Sequence, residues 1–277
     1  MGYKLIACDL DETLLNDQHM ICQKNIEAIK KARKQYGVKF VPATGRGYAG
    51  ITRELKTLQL YDQPDEYTLS FNGGAIIENK DNTMISFIGL AFEKTKEIFT
   101  FGLQCDVCQL IYTKDTVYVF NVSESEQQRI ASQGVECTIV TENNIDFLKN
   151  EAIAKILFQN IDVPYLMSLA PKMKDIIDGA VSISYSSNRY MEFNQLGVNK
   201  GQGLKTLANL LNIDIKDTIA VGDNYNDMSM LQVAGLSIAV ANAVDDIKAI
   251  CDYTTKADNN QGVVAEIIER FIYNDEI

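Results

Sequence analysis

At 277 residues the chain exceeds one ordinary domain and has material for one large core or two smaller ones, and a composition of 46% hydrophobic and 23% charged residues excludes a disordered chain. The 26 Lys+Arg against 37 Asp+Glu, a net charge of -11, match poorly the basic face that nucleic acid needs and leave a small molecule as the expected partner. No apolar run approaches the roughly 20 residues of a bilayer span, and no basic leader precedes a small-residue cleavage site, so a cytoplasmic protein without a membrane partner is expected, its six scattered cysteines reduced.

The first elements come as a pair of strands around a helix. "YKLIACDL" and "VKFVPATG" rise through β-branched and apolar residues to a polar turn, and between them "QKNIEAIKKARKQYG" has helical periodicity ending at Gly37. From residue 86 to 192 the pattern changes. Helices are predicted at "EKTKEIFTFGL", "ESEQQRIASQ" and "VPYLMSLAPKMKDII". They mix with alternating strands at "QLIYTKDTVYVFNV", "AIAKILFQN", "AVSISYSS" and "RYMEFNQ", with a hairpin turn at "TKDT". The first pattern then returns: "NKGQGLKTLANLLNI" reads as a helix, "DTIAVGD" as a buried strand, "NDMSMLQVAG" as a helix and "LSIAVAN" as a strand. The expected architecture is α/β, with a parallel sheet built from residues 1–85 and 193–277. An α+β domain at 86–192 interrupts it, with linkers near 87–92 and 190–195.

Ligands of open parallel sheets bind beyond the carboxyl ends of the strands. The polar residues there are Asp9, Asp11 and Thr13 after the first strand and Thr44, Gly45 and Arg46 after the second. A later strand delivers Gly222, Asp223, Asn224, Asn226 and Asp227, and Lys200 opens the helix before it. Carboxylates converging on one rim repel unless a cation lies among them, and a hard divalent ion with oxygen ligands, Mg²⁺ above all, is the economical choice. Substrate phosphate commonly completes Mg²⁺, and a lysine, a threonine hydroxyl and backbone N–H groups are the donors a phosphate needs. The rim reads as a site of phosphoryl transfer.

These residues resemble the haloacid dehalogenase superfamily of phosphohydrolases, and within it the Cof-type phosphatases with a large α/β cap. "DLDET" matches the nucleophile motif, "ATGR" the threonine motif, "NKG" the lysine motif and "GDNYND" the acidic motif, in the family's order and over essentially the whole chain. The resemblance implies a Rossmann-like parallel-sheet core with an inserted α+β cap that closes over it and selects the leaving group. It also implies Mg²⁺-dependent hydrolysis of small phosphorylated metabolites, sugar phosphates first, by a monomer or small homo-oligomer. Asp9 would be the nucleophile that forms an aspartyl-phosphate and Asp11 the general acid and base. The metal would take the Asp9 carboxylate, the Asp11 backbone carbonyl and Asp223. Thr44 and Lys200 would orient the phosphoryl group, with Thr13, Gly45, Arg46 and Asn226 beside them as phosphate contacts. Asp227, with Asn226, would hold the metal waters and Lys200, and the "FNG" turn at Asn72 and Gly73 would lie near the substrate. Glu12 departs from the family pattern, where many members carry glycine.

Other readings of the same residues are weaker. "GRGYAG" at 45–50 matches a dinucleotide fingerprint, but Asp65 and Glu66 precede the next strand, "YTLSF", where that fold wants an acid at its end. "CDVC" at Cys105 to Cys108 runs into a strand and has no second pair to complete a zinc site, and His19, the one histidine, lies in the polar segment "NDQHM". A phosphosugar mutase of the phosphomannomutase-like branch would share the motifs. A phosphorylation-controlled binding module of receiver type would share the aspartates, threonine and lysine, but needs neither Asp11 as a proton shuttle nor a large insertion.

Overall fold

The computed structural model describes residues 2–133 and 136–273. In chain order, β1 (Leu5–Cys8) is followed by α1 (Gln23–Tyr36), β2 (Lys39–Pro42), α2 (Thr52–Thr57), β3 (Tyr67–Ser70), β4 (Ala75–Glu78) and β5 (Thr83–Phe87). The middle of the chain forms α3 (Phe92–Gly102), β6 (Cys108–Thr113), β7 (Val117–Phe120), α4 (Glu124–Gln133), β8 (Thr138–Val140) and β9 (Ile153–Gln159). After these come α5 (Val163–Leu169), α6 (Lys174–Ile177), β10 (Val181–Ser186) and β11 (Tyr190–Gln195). The last stretch holds α7 (Lys200–Leu210), β12 (Thr218–Gly222), α8 (Met228–Leu231), β13 (Leu236–Ala239), α9 (Asp245–Ile250), β14 (Tyr253–Thr254) and α10 (Val263–Phe271). Two compact units result, Met1–Ser86 with Asn199–Ile277, and Phe87–Val198.

In the first unit five parallel strands lie in the order β14-β13-β12-β1-β2. β1 is buried along its whole length, as an all-apolar run must be when both faces of a sheet are covered. Its register sets Cys8 opposite both Pro42 and Val221, while Gly222 stands opposite Ala239. The residues one or two positions beyond that level emerge at one edge, Asp9 directly after Cys8, Thr44 after Ala43 and Asp223 after Gly222, which brings the three to the same rim. A small sheet, β3-β4-β5, adjoins β2 through the parallel bridge between Ala43 and Leu69.

Close approach of backbones fixes the start of α7. A Cβ on Gly203 would stand 2.8 Å from Gly73 Cα, so the "FNG" turn and the helix touch through two residues without side chains. Glycine costs about 1 kcal/mol of helix propensity at such a position, which the contact offsets.

The second unit is a six-stranded sheet in the order β10-β11-β9-β6-β7-β8, antiparallel except for β7 with β8. One face packs Ile111, Phe120, Ile156, Phe158, Met191 and Phe193 with Ile98 and Phe99 of α3 and Leu166 and Leu169 of α5. On the other face a smaller cluster of Cys108, Leu110, Val119, Leu157 and Tyr190 receives Ile130 of α4. Residues 190–195, expected as a linker, are instead β11, paired on both sides with β10 and β9, so residues 193–195 belong to this sheet. The segment expected as a single helix at 163–177 breaks into α5, a 3-10 turn at Ala170–Met173 and α6. Pro171 lies at the start of that turn and has no N–H to continue the ladder.

Candidate active site

Beyond β1 the backbone does not continue as a strand. Leu15 N–H donates to Leu10 O at 2.8 Å, closing a wide turn in which Glu12 takes φ 61, ψ 5. This coil leaves Asp9 5% exposed at the sheet edge, Asp11 half-buried, Glu12 exposed and Thr13 buried. Glu12 is thus a non-glycine residue in the left-handed region, the conformation that makes glycine the easy choice there.

Lys200, fully buried at the first position of α7, donates through Nζ to Asp9 Oδ1 and, at 2.6 Å, to Asp227 Oδ1. The other Asp227 oxygen, Oδ2, accepts the N–H groups of Asp223 at 3.0 Å and Asn224 at 3.2 Å. Gly222 permits this, since a Cβ there would lie 2.5 Å from Asp227 Cγ. Both Asp227 oxygens are therefore occupied, and its carboxylate organises the turn after β12 while steering Lys200. Asn226 sits half-buried in the same turn. Thr13 Oγ1 donates to Asp223 Oδ1 at 2.8 Å, so its hydroxyl proton, anticipated for phosphate, is spent on orienting Asp223.

Carboxylate oxygens of Asp9, Asp223 and Asp227 lie within 4.8 Å of one another, and all three residues are buried. Burial, then the Asp227 carboxylate, pushes the Asp9 carboxyl well above the ordinary range, against the pull of Lys200. Burial, with Asp227 and Asp9 beside it, raises Asp223 as well. For Lys200, burial works to lower the ammonium, but Asp227 and Asp9 outweigh it and hold it protonated. Ionised together, three carboxylates against one ammonium leave net negative charge in a buried site, which is why burial and their mutual repulsion favour the neutral acids when no cation is bound. That donor set, oxygen throughout, fits a hard divalent cation. Asp9 and Asp223 each have one oxygen engaged, by Lys200 and by Thr13, and a second to offer.

Thr44, buried at the end of β2, takes a bond from its N–H to Leu69 O at 2.8 Å and accepts Asn72 N–H on its carbonyl at 2.9 Å, which puts the "FNG" turn beside it. Its Oγ1 accepts Arg46 N–H at 3.1 Å across the half-buried Gly45. The Arg46 side chain forks onto Asp11, Nε to Oδ2 at 2.9 Å and Nη2 to Oδ1. Arg46, expected to touch substrate, is thus held on Asp11 in this arrangement. Its Nη1 lies 4.0 Å from Glu54 Oε1, a buried carboxylate in α2 that the strand-end pattern did not single out.

The "GRGYAG" segment forms a 3-10 turn at Tyr48–Ile51 that runs into α2, six residues long. Cys105 and Cys108 are free thiols, Cys108 buried at the start of β6. His19 lies in the turn between the bridged residues Leu15 and Ile21, its N–H bonded to Asn16 O at 2.8 Å. No helix among the described residues is long and apolar enough to cross a membrane.

A family model described as haloacid dehalogenase-like hydrolase matches residues 6–268. The chain is 30% identical to a protein of Streptococcus pyogenes serotype M6 provisionally named phosphatase M6_Spy0533, over 99% of this chain and 100% of the relative. It is 29% identical to 5-amino-6-(5-phospho-D-ribitylamino)uracil phosphatase YwtE of Bacillus subtilis strain 168, over 94% of this chain and 95% of the relative. Among solved structures, the crystal structure of a haloacid dehalogenase-like hydrolase from Bacteroides thetaiotaomicron superposes with a TM-score of 0.82 at 29% identity, covering 97% of this chain and 99% of that one.

Proposed function

The chain belongs to the haloacid dehalogenase-like hydrolase family, and from that premise we propose that it is a Mg²⁺-dependent phosphomonoester hydrolase of small phosphorylated metabolites, with sugar and sugar-alcohol phosphates as the leading class. The observation that carries the proposal is the buried meeting of Asp9, Lys200, Asp227 and Asp223 at the carboxyl edge of the parallel sheet. The likeness to a ribitylamino-uracil phosphatase supports the substrate class.

Asp9 is the nucleophile: one carboxylate oxygen bonds to phosphorus as the bond to the leaving oxygen breaks, giving an aspartyl-phosphate. Asp11 gives its proton to that leaving alkoxide, then takes one from the water that attacks phosphorus and releases phosphate and free Asp9. Lys200, fixed by Asp227, restrains Asp9 and offsets the charge gathering on the phosphoryl oxygens, and Thr44 adds a hydroxyl at the neighbouring strand end. Asp9, Asp223 and the Asp11 carbonyl would hold a divalent cation, which would supply further positive charge to the phosphoryl group. Thr13 acts by orienting Asp223. Gly45 and Asn226 stay as phosphate contacts through the turns they occupy. The dedicated proton donor is what a poor leaving group such as a sugar hydroxyl requires.

The test is phosphate release from a panel of sugar phosphates, sugar-alcohol phosphates, nucleotides and p-nitrophenyl phosphate, with Mg²⁺ or with EDTA, and Asp9→Asn as the blank. Release is expected only from the native protein with Mg²⁺. Asp11→Asn is expected to lose about 10² to 10⁴-fold on sugar phosphates, roughly 3 to 5 kcal/mol of barrier. Release that persists in EDTA would remove the metal from the scheme. No release, with a stable acyl-phosphate on Asp9 after acetyl phosphate treatment, would point to the mutase or binding-module alternatives.

A further inference from the structure

Glu54 is only 3% exposed, and a carboxylate taken out of water needs cationic partners. It has two. Arg53 Nη2 donates to its Oε1 at 2.9 Å, but the Arg53 side chain is 66% exposed and ties down little else than the His19 carbonyl at 2.6 Å. Arg46 Nη1 lies 4.0 Å from the same oxygen and 3.5 Å from the Gly50 carbonyl, while its Nε and Nη2 engage both oxygens of Asp11. The Arg46 guanidinium is a planar bridge with Asp11 along one edge and Glu54 beyond its far nitrogen.

We infer that Glu54 is a positioning residue for Asp11 and acts through Arg46. The inference rests on the reading of Asp11 as proton donor and deepens it. A guanidinium fork fixes the plane of the carboxylate it grips only if its own plane is fixed. Turning about the Cδ–Nε bond swings Nη1 most, so an anion beside Nη1 restrains that rotation best. Glu54 is held by its buried place in α2, and it passes that rigidity to a half-exposed aspartate after β1. The consequence is selective: proton delivery to a poor leaving group depends on fractions of an ångström at Asp11, whereas binding of phosphate and attack by Asp9 do not.

The experiment compares kcat/KM, which covers steps only up to departure of the alcohol, for the best sugar phosphate of the panel and for p-nitrophenyl phosphate. Glu54→Gln, which keeps shape and removes charge, is expected to lower kcat/KM about tenfold on the sugar phosphate and less than about twofold on p-nitrophenyl phosphate. Arg53→Gln should leave the ratio of the two unchanged, and in an Arg46→Ala background Glu54→Gln should not alter it further. Equal losses on both substrates would mean that Glu54 only supports the fold, and would overturn the inference. A separate readout needs no turnover: Nε–H ¹⁵N relaxation of Arg46 should show restricted rotation about the Cδ–Nε bond in the native protein, and freer rotation in Glu54→Gln. Unchanged rotation overturns the relay even if the native protein hydrolyses every substrate offered, whereas a native protein silent on the panel with rotation that responds to Glu54 overturns the hydrolase reading instead.

Discussion

Glu12 shows how one residue can be tolerated where the chain path favours another. At φ 61, ψ 5 its side chain pays the left-handed penalty of about 1 to 2 kcal/mol, while glycine at the same place would carry about 0.5 to 1 kcal/mol of extra chain entropy in the unfolded state. The difference predicts that Glu12→Gly raises stability by about 0.5 to 1 kcal/mol, read as a higher urea midpoint at unchanged slope in EDTA. A lower midpoint would mean that the wide turn from Leu10 to Leu15 relies on contacts of the Glu12 side chain. At this scale much of the rim was legible, because parallel strands in register deliver the residue after each apolar run to one edge, and Asp9, Thr44 and Asp223 follow from that rule alone. Glu54 was not. Its approach to Arg46 depends on the tight path of residues 47–51, and neither periodicity nor strand-end position records a distance made by a turn.

Among the elements, α7 links stability to the site most directly, because its first residue is Lys200. Asn199 caps the helix, its side chain accepting Gln202 N–H at 2.9 Å, and Gly203 holds the same turn against Gly73. A lysine in the first turn meets the unfavourable end of the helix dipole, which the Asp9 and Asp227 carboxylates more than offset. Asn199→Ala is therefore expected to cost about 1 kcal/mol of stability. It should also lower kcat/KM by up to about tenfold at temperatures where the variant is fully folded, since Lys200 loses the fixed start of its helix. Native activity in a destabilised variant would show that the two carboxylates alone place the lysine. The sequence marked this helix well, through "NKGQG" and its apolar spacing. It did not mark β8 or β14, edge strands of three and two residues whose pairing lies in distant partners instead of their own pattern. β11 was read as a strand and still assigned partly to a linker, because the end of an antiparallel sheet is set by the neighbour's register.

For the molecule as a whole, the distribution of charge and core between the units predicts how a metal should act on stability. The middle unit has its own apolar core, from Ile98 and Phe99 through Phe158 to Met191 and Phe193, and no member of the carboxylate cluster. The three buried carboxylates belong to the unit formed by the chain ends, where their mutual repulsion burdens the native state and is relieved when the chain unfolds into water. A cation that binds only the folded site stabilises it by RT ln(1 + [L]/Kd), about 2.7 kcal/mol at a hundred times Kd. Calorimetric unfolding in EDTA and in excess Mg²⁺ is therefore expected to resolve two components, of which Mg²⁺ raises one. Asp223→Asn should abolish that shift, since the amide keeps an oxygen for Thr13 but loses the charge that holds the ion. In EDTA the same variant should unfold no earlier than the native protein, because one of the three crowded negative charges is gone. A Mg²⁺ shift that survives Asp223→Asn would place the ion elsewhere, and a single transition moved as a whole would mean that the two cores melt together.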